Sequence, residues 1–469
     1  MDVYLKNYWL LNLEFIKTFA TLTYKNIPLP LLSNFYHYLD QPLQEEMQSD
    51  DFCQFSLQNF KEEEIQPGFE KWLHSIRKPQ GAKPEQGKLL MNFDYLRFTE
   101  ENYREFSPET SLILTRWRMK DLYTIPVISM LDHIKNQPQI SHTFTQKAKA
   151  IFKTQQRHPV FSNPEFQQRF LKDIPHMIEK IDMVFKILKN NPIHVILVGT
   201  TEELTSRILA IVGQTVGIPS FCLQHGLILG EEAYLPAFAS HYVVYGHYEK
   251  EWYKSRGVPD EQIVIAGHPR YDAIFTTNDL DRQQVLKKLN LNPHKKTVLM
   301  ATQPNSSSLF MEVANLVVNL PNSQIIIKPH PWEKAKGRTE AYLGLARKYS
   351  QVQYITTEMP LYNLISASDV VVIANSTVGL EAMLLDKPVV VIKSPTANRD
   401  YPYYDSLGSL VKTTPKQVYE CIETLLTSPA YQQNARQLRN QFIQQNYPTK
   451  DSTSALQKLM KNFIRFKEV

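Results

Sequence analysis

The sequence predicts an α/β protein with two doubly wound, Rossmann-like domains in tandem, preceded by a mostly helical extension. Three observations lead to this prediction. Short apolar runs bounded by polar turns recur along the chain, as buried strands do. Segments with helical spacing separate them, and consecutive strands joined by helices require a parallel sheet covered by helices. The alternation also pauses at a polar interval, residues 276–296, and then restarts. We therefore expect a cleft between two domains.

Composition agrees with a folded protein of more than one domain. At 469 residues, with 43% hydrophobic and 21% charged residues, the chain exceeds one ordinary core. A net charge of +5, from 52 basic and 47 acidic side chains, is too small to indicate a nucleic-acid-binding surface. Cys53, Cys222 and Cys421 are far apart and show no C-x-x-C spacing. This argues against a disulfide framework or a zinc knuckle and favours a reducing cytoplasm.

The N-terminal extension is apolar but unlike a membrane span. Lys6, Glu14, Lys17 and Lys25 interrupt it, so it contains no uncharged run of membrane-spanning length and no signal-peptide core. We predict ordinary packing, with a helix facing a partner or a membrane surface as the alternative. The extension closes with SIRKPQGAKPEQGK (75–88), which we interpret as a linker or surface loop.

Six candidate strands precede the polar interval. They are KLLMNF (88–93), SLILT (111–115), HVILVG (194–199), IPSFCL (218–223), HYVVYG (241–246) and QIVIAG (262–267). A polar stretch with helical spacing, residues 131–191, separates the second from the third. Thr200 with Glu203 is a capping-box candidate for the helix LTSRILAIVGQTVG.

Five further candidate strands follow the interval. They are TVLMAT (297–302), SQIIIKPHP (323–331), VQYIT (352–356), SDVVVIANS (368–376) and KPVVVIK (387–393). Terminal helices complete the chain. We therefore divide it into a helical extension (1–85), a first Rossmann-like domain (86–275), a second one (276–440) and C-terminal helices (441–469).

Polar motifs follow the predicted strands, where open parallel sheets bind ligands. The first is QHG (224–226), directly after IPSFCL. His225 there can exchange a proton near neutral pH, and Gly226 allows close approach of a ligand. The alternative is a structural histidine at a tight turn. We favour the functional interpretation because other motifs accompany it.

The second motif is KPHP (328–331), at the end of IIIKPHP. Its two prolines fix the turn and so hold Lys328 and His330 in place. A cation or a hydrogen-bond donor here could neutralise a diphosphate leaving group. The alternative is a rigid strand exit with a solvated lysine.

The third motif is NSTVGLEAMLLDKPVVVI (375–392), which begins with N-cap residues. The start of the helix is an anion site, to which Ser376 and Thr377 add hydroxyl donors. Glu381, about one turn further on, could reach the hydroxyls of a ribose. The alternative is a simple cap with an exposed glutamate. The motif lacks G-x-G-x-x-G, so an NAD enzyme is not supported.

The fourth motif is AGHPRYD (266–272), between the two repeating halves. Gly267, Arg270 and Asp272 supply the turn and the charged pair of an inter-domain crossing, so we interpret them as structural rather than catalytic. The sequence contains no H-E-x-x-H, P-loop, G-x-S-x-G or clustered D-x-D, and gives no reason to require a metal.

Together QHG, GHPRYD, KPHP and STVGLEAMLLDKPVVV resemble the GT-B superfamily. More narrowly they resemble bacterial surface-polysaccharide enzymes: capsule polysaccharide synthesis proteins, CDP-glycerol glycerophosphotransferases and UDP-N-acetylglucosamine 2-epimerases. The resemblance covers residues 190–395 well and 85–190 loosely. The glycine-rich phosphate loop often found early in the first domain is not evident, and NFDYLRF offers Asp94 and Arg97 instead.

The resemblance implies an acceptor-binding first domain and a nucleotide-binding second domain. It implies His225 as the base and His330 as a phosphate-facing partner. It also implies phosphate contacts from Ser376 and Thr377 and a ribose contact from Glu381.

The expected activity is a metal-independent glycosyl transfer from a nucleotide sugar onto a cell-surface glycan, such as a capsule, or its lipid-linked precursor. We expect no cofactor and no nucleic-acid partner. We expect the protein in the cytoplasm, with attachment to the inner face of the plasma membrane left open. The alternatives are a CDP-glycerol-type glycerophosphotransferase, a UDP-GlcNAc 2-epimerase-like enzyme and a non-catalytic nucleotide-binding scaffold.

Overall fold

A computed structural model contains two open, mostly parallel sheets and a helical N-terminal region, which confirms the predicted fold class. It describes residues 1–52, 60–79, 87–276, 281–355, 359–394, 399, 402–461 and 463. Half of the predicted linker (75–88) and the predicted boundary at 85/86 lie outside the described residues, as does Cys53. None of the described helices is long and apolar enough to cross a membrane.

The N-terminal extension is built into the core of the first domain. Its elements are α1 (Val3–Phe19), β1 (Thr23–Tyr24), β2 (Ile27–Pro28), α2 (Gln41–Glu46) and α3 (Ile65–Ile76). Trp9, Phe15 and Phe19 of α1 are fully buried. The Phe15 ring lies 5.0 Å from Phe170, and the Phe19 ring lies 4.7 Å from Phe152. The apolar face of α1 therefore packs within the protein, as predicted.

The first sheet has eight strands, and the order in which the chain adds them reverses near the middle of the sheet. Its strands are β3 (Lys88–Asn92), β4 (Ser111–Thr115), β5 (Asp121–Leu122), β6 (Ile125–Ser129), β7 (Ile193–Val198), β8 (Ser220–Leu223), β9 (His241–Val244) and β10 (Ile263–Ile265). Its helices are α4 (Glu100–Arg104), α5 (Pro138–Thr154), α6 (Pro164–Asn190), α7 (Leu204–Thr215) and α8 (His247–Ser255). The order is β10-β9-β8-β7-β3-β4-β6-β5, and only β5 pairs antiparallel. The chain order reverses between β3 and β7, where such sheets bind ligands.

The helix α7 begins later than the capping-box prediction requires. Its N-cap is Glu203, whose carboxylate accepts from the Ser206 N–H at 2.8 Å, so the box with Thr200 as cap is wrong. The Thr200 hydroxyl instead accepts from the Glu202 N–H at 3.0 Å, within the preceding turn. A Cβ on Gly199 would lie 2.1 Å from the carbonyl oxygen of Tyr95, so the chain leaves β7 through a glycine that lets the two loops touch.

The second sheet has six parallel strands. They are β11 (Lys296–Ala301), β12 (Ser323–Lys328), β13 (Val352–Tyr354), β14 (Val370–Ile373), β15 (Val389–Ile392) and β16 (Val411–Lys412). Its helices and connections are α9 (Ala273–Thr276), α10 (Arg282–Lys288), α11 (Ser307–Val317), α12 (Pro331–Ala335), α13 (Glu340–Lys348), α14 (Leu361–Ser366), α15 (Thr377–Leu384), α16 (Pro415–Thr427) and α17 (Pro429–Asn446). The order is β13-β12-β11-β14-β15-β16, with the reversal between β11 and β14. The last residue of the predicted strand VQYIT lies outside the described residues.

The final helix, α18 (Ser452–Lys461), returns to the first domain. Its Leu456 and Met460 are buried in the same cluster as β3. Asp272 caps it from the crossing segment: Oδ1 accepts from the Ser452 N–H at 2.9 Å, and Oδ2 accepts from the Thr453 N–H and hydroxyl at 2.8 and 2.7 Å. The chain therefore crosses between the domains twice, at adjacent places.

Gly267 lies at this double crossing. Its φ is +68°, in the left-handed region, and a Cβ there would lie 2.4 Å from the Ser452 hydroxyl. The structure thus places Gly267 and Asp272 of the predicted crossing segment where the first domain, the second domain and α18 meet.

Candidate active site

A network of buried polar groups fixes the QHG loop after β8. The Gln224 side chain accepts from the Tyr245 N–H at 2.9 Å and donates to the Gly226 carbonyl at 2.8 Å. It also donates to Glu249 Oε1 at 3.1 Å, and Glu249 Oε2 accepts from the Gly246 N–H at 3.1 Å. Burial raises the pKa of Glu249 to about 7. The backbone that carries the intervening histidine is therefore held on both sides.

His225 lies against an aromatic ring at the edge of the cleft. Its imidazole stacks on Tyr234 at 5.1 Å with an interplanar angle of 7°, and its carbonyl accepts from Arg97 Nη1 at 2.8 Å. Burial lowers the pKa of His225 to about 4, and the charges of Arg97 and Arg270 add to the shift. The imidazole is therefore neutral at pH 7 and free to accept a proton.

Arg270 reaches from the crossing segment into the cleft. Its guanidinium lies 4.4 Å from the centre of the Tyr271 ring, and Nη2 lies 3.4 Å from the Tyr245 hydroxyl. Nη2 is also 4.0 Å from the Glu381 carboxylate of the second domain. Among the described residues the buried Nε finds no hydrogen-bond partner. A buried donor left unpaired is costly, and this one belongs to a cation between the two domains.

Glu381 faces that cation from α15. Glu381 is 6% exposed. The alternative interpretation of the motif, a simple cap with an exposed glutamate, is therefore wrong. Burial raises the pKa of Glu381, while Arg270 and a hydrogen bond from the Thr377 side chain oppose the rise. The helix can bring this carboxylate inward because Gly379 packs closely: a Cβ there would lie 2.4 Å from Ile373 Cδ1.

The start of α15 follows β14 at the reversal point of the second sheet. Ser376 is its N-cap, and the Ser376 Oγ accepts from the Val378 N–H at 3.3 Å. The Ser376 carbonyl accepts a hydrogen bond from the Tyr404 hydroxyl. The oxygen of that hydroxyl also accepts a hydrogen bond from the Leu380 N–H at 3.2 Å. Tyr404 thus anchors the first turn, whose N–H groups and dipole favour an anion.

The KPHP segment lies at the carboxyl end of β12, beside this helix. Lys328 is half-buried, and burial lowers its pKa while Glu381 opposes the shift. His330 caps α12: its Nδ1 accepts from the Trp332 N–H at 3.1 Å, and its own N–H donates to Glu333 Oε2 at 3.0 Å. Because Nδ1 is an acceptor, the neutral ring carries its hydrogen on Nε2. The geometry makes His330 a donor rather than a base.

Sequence reasoning missed several members of the cleft. Tyr245 and Tyr271 line Arg270, and His268 Nδ1 accepts from the Arg270 N–H at 3.1 Å. The motif GHPRYD contains two of these three residues, so the signal was present. Glu232 and Arg399 form a two-pronged ion pair, at 2.7 and 2.8 Å, between residues 167 apart in sequence. No local pattern could have revealed that pair.

The described residues contain no group of three or more His, Cys, Asp or Glu side chains that could hold a metal ion.

Two facing Rossmann-like sheets, with charged and hydroxyl groups at their strand ends, define a protein of the GT-B fold. Residues 240–463 match the family model described as CDP-Glycerol:Poly(glycerophosphate) glycerophosphotransferase. The predicted resemblance to the GT-B superfamily and these enzymes is confirmed.

Solved structures share the fold at low sequence identity. The UDP-GlcNAc 2-epimerase from Neisseria meningitidis, bound to UDP-GlcNAc, is 15% identical with a TM-score of 0.54, covering 80% of this chain and 100% of that one. A putative UDP-N-acetylglucosamine 2-epimerase from Listeria monocytogenes is 14% identical with a TM-score of 0.53, covering 83% and 99%. A glycosyltransferase from Rickettsia africae is 10% identical with a TM-score of 0.52, covering 81% and 100%.

Among curated proteins, the lipid-A-disaccharide synthase of Photobacterium profundum is 27% identical over 151 residues. The match covers 31% of this chain and spans 38% of that protein.

Proposed function

We propose that the protein is a GT-B transferase that moves a sugar from a nucleotide-activated donor onto a cell-surface glycan or its lipid-linked precursor. One observation carries the proposal. Arg270, with an unpaired Nε among the described residues, faces Glu381 across 4.0 Å, next to the helix start at Ser376 and Thr377. A cation, a carboxylate and a helix N-terminus in one cleft suit the charges and hydroxyls of a nucleoside diphosphate.

Each group has a place in the proposed donor complex. The first N–H groups of α15, the hydroxyls of Ser376 and Thr377, and Lys328 bind the diphosphate. Glu381 accepts hydrogen bonds from the ribose hydroxyls. Arg270 stabilises the charge that develops as the nucleotide leaves. These roles require neither a metal ion nor a cofactor; the nucleotide sugar is the donor substrate.

In the proposed reaction His225 takes the proton of the acceptor hydroxyl. The acceptor oxygen bonds to the anomeric carbon, and the bond from that carbon to the diphosphate breaks, so the nucleoside diphosphate departs with the electron pair. A pKa near 4 makes free His225 a weak base. The dianionic diphosphate counters the cationic field of Arg97 and Arg270, so donor binding itself raises the basicity of the imidazole.

Glycerophosphate transfer from CDP-glycerol is the second candidate. The family match over residues 240–463 favours it, and the same cleft groups would serve it. Here the acceptor oxygen attacks the phosphorus that bears the glycerol. The phosphoanhydride bond breaks and CMP leaves.

The released nucleotide separates these candidates. The full-length protein is incubated with UDP-glucose, UDP-N-acetylglucosamine or CDP-glycerol, with and without a glycan acceptor, and the products are resolved by chromatography. Acceptor-dependent release of UDP supports sugar transfer, and release of CMP supports glycerophosphate transfer. Isomerisation of UDP-N-acetylglucosamine without acceptor identifies an epimerase. If no donor is consumed, the proposal is wrong, and a nucleotide that still raises the melting temperature then supports the scaffold interpretation.

A further inference from the structure

Large apolar side chains are concentrated in one exposed region of the first domain. Half of the exposed large apolar residues in the described part of the chain lie in the three loops that follow β3, β4 and β6, with exposures between 38% and 50%. They are Tyr95, Trp117, Met119, Leu131 and Ile134. Large apolar residues scattered singly on a surface need no explanation, whereas a cluster indicates a binding surface.

These loops form one continuous surface. The Trp117 ring lies 5.4 Å from Phe93, at the end of β3. Arg116 Nε donates to Asp94 at 2.7 Å, which joins the loops after β3 and β4. Arg118 Nε donates to Asp132 at 2.7 Å, which joins the loops after β4 and β6. The strands β3, β4 and β6 are also consecutive neighbours in the sheet.

The fold holds the aromatic side chain of Tyr95 outward at some cost. Its φ is 66°, in the left-handed region, which is uncommon for an aromatic residue. The contact between its carbonyl and Gly199 fixes that conformation. Two residues further on, Arg97 contacts the carbonyl of His225. The exposed surface therefore borders the acceptor side of the cleft.

The same loops carry a small excess of positive charge. Residues 116–135 contain four Lys and Arg against Asp121 and Asp132. A further four Lys and Arg, with no acidic residue between 133 and 164, lie on α5 and just after it, outside these loops. Two acidic side chains in the patch, Asp94 and Asp132, are engaged by arginines. Lys120 and Lys135 are exposed and take part in no ion pair among the described residues.

We propose that Tyr95, Trp117, Met119, Leu131 and Ile134, with Lys120 and Lys135, form a docking patch for an anionic lipid bilayer. Charge alone would also suit a soluble polyanion. The exposed Trp and aliphatic side chains favour a membrane, since they gain by entering the boundary between headgroups and acyl chains. Lysines near the surface add electrostatic attraction. Docking there brings the cleft entrance, marked by Arg97 and His225, to the bilayer. This proposal does not depend on the chemistry of transfer.

Vesicle binding by the full-length protein tests the patch. Binding is measured by sedimentation with phosphatidylcholine vesicles, with and without about 30% phosphatidylglycerol. We expect binding to the anionic vesicles, weakened by salt. The double variant Lys120→Gln, Lys135→Gln should lose about 25-fold in partitioning, or about fivefold per lysine. Trp117→Ser with Leu131→Ser should lose binding even at low salt.

Matched variants elsewhere on the surface provide the controls. Leu316→Ser and the pair Lys287→Gln, Lys288→Gln change exposed residues of the second domain and should bind as the wild type does. Unchanged melting temperatures show that the patch variants fold. The proposal is overturned if the wild type does not sediment with anionic vesicles, or if the patch variants bind the vesicles as well as the wild type does. It is also overturned if the wild type binds soluble polyanions but no vesicles.

Discussion

The role assigned to Glu381 leads to a sharp prediction for Glu381→Gln. If the carboxylate accepts hydrogen bonds from ribose, the amide retains one acceptor but loses the charge. Hydrogen bonds to charged groups contribute about 1.5–3 kcal/mol, against about 1 kcal/mol for neutral ones. Affinity for UDP or CDP should therefore fall by roughly 2- to 30-fold for each ribose hydrogen bond to the carboxylate.

Pyrophosphate lacks the ribose and should respond differently. At 4.0 Å from Arg270, the Glu381 carboxylate is attracted to that cation by about 4 kcal/mol before desolvation, at an effective dielectric constant of 20. Removing the charge releases Arg270 for the anion. Pyrophosphate should therefore bind the variant as well as the wild type, or more tightly. Lys328→Met should show the opposite pattern and weaken both ligands.

Isothermal titration calorimetry of the wild type and the two variants with UDP, CDP and pyrophosphate makes the comparison. Glu340→Gln is a suitable control, since its exposed carboxylate pairs with Arg347 on the surface. Equal losses for nucleotide and pyrophosphate would show that Glu381 acts on phosphate or on folding. Nucleotide affinity within twofold of the wild type would refute the ribose contact.

Four further predictions concern the protonation of His225 and the double crossing at Gly267. His225→Gln should keep the melting temperature near pH 7 and lower turnover by about 10²–10⁴-fold, as measured in the nucleotide-release assay. NMR titration should show the His225 pKa rising from about 4 when UDP is added; an unchanged value would contradict the proposed coupling to the diphosphate. Because the folded pKa lies below the unfolded value, this histidine should make stability fall as pH drops from about 6.5 to about 4, a loss that His225→Gln abolishes in urea titrations. Asp272→Asn should lower stability by about 1–3 kcal/mol in the same titrations, since it weakens three hydrogen bonds to the start of α18; Asp121→Asn, at an exposed position of the first domain, is its control.

The two sheets could be predicted from the sequence because their strands are buried on both faces. Such strands are continuous apolar runs, as in VVVI of β14 and of β15, and helical spacing separates them. The strand β6 was missed because Pro126 interrupts IPVIS, and proline is unfavourable inside a sheet. It is tolerated there because Pro126 lies at the start of β6, beside the two-residue β5, whereas the pairing of β6 with β4 covers Val127 to Ser129.

The candidate site was predictable residue by residue but not as an arrangement. His225 and Ser376 stand directly after strands, so the rule for ligand sites in parallel sheets finds them. Arg270 was interpreted as structural because its motif resembles a turn; its neighbour Asp272 does cap a helix, while Arg270 points into the cleft. Whether a side chain enters the cleft depends on contacts such as that with Glu381, 111 positions away, which no local pattern encodes.

The double crossing at Gly267 and α18 has a consequence for movement and unfolding. Two chain segments pass between the domains side by side and are joined by hydrogen bonds, so they form one pivot rather than two separate tethers. If one domain twisted about the axis that joins the two domains, these hydrogen bonds would break. A hinge motion that opens the cleft would instead only change the backbone angles beside them. The last helix also completes the core of a domain that begins more than 350 residues earlier. Ribosomal synthesis must therefore reach α18 before the first domain is fully closed, and loss of α18 would loosen the half that was made first.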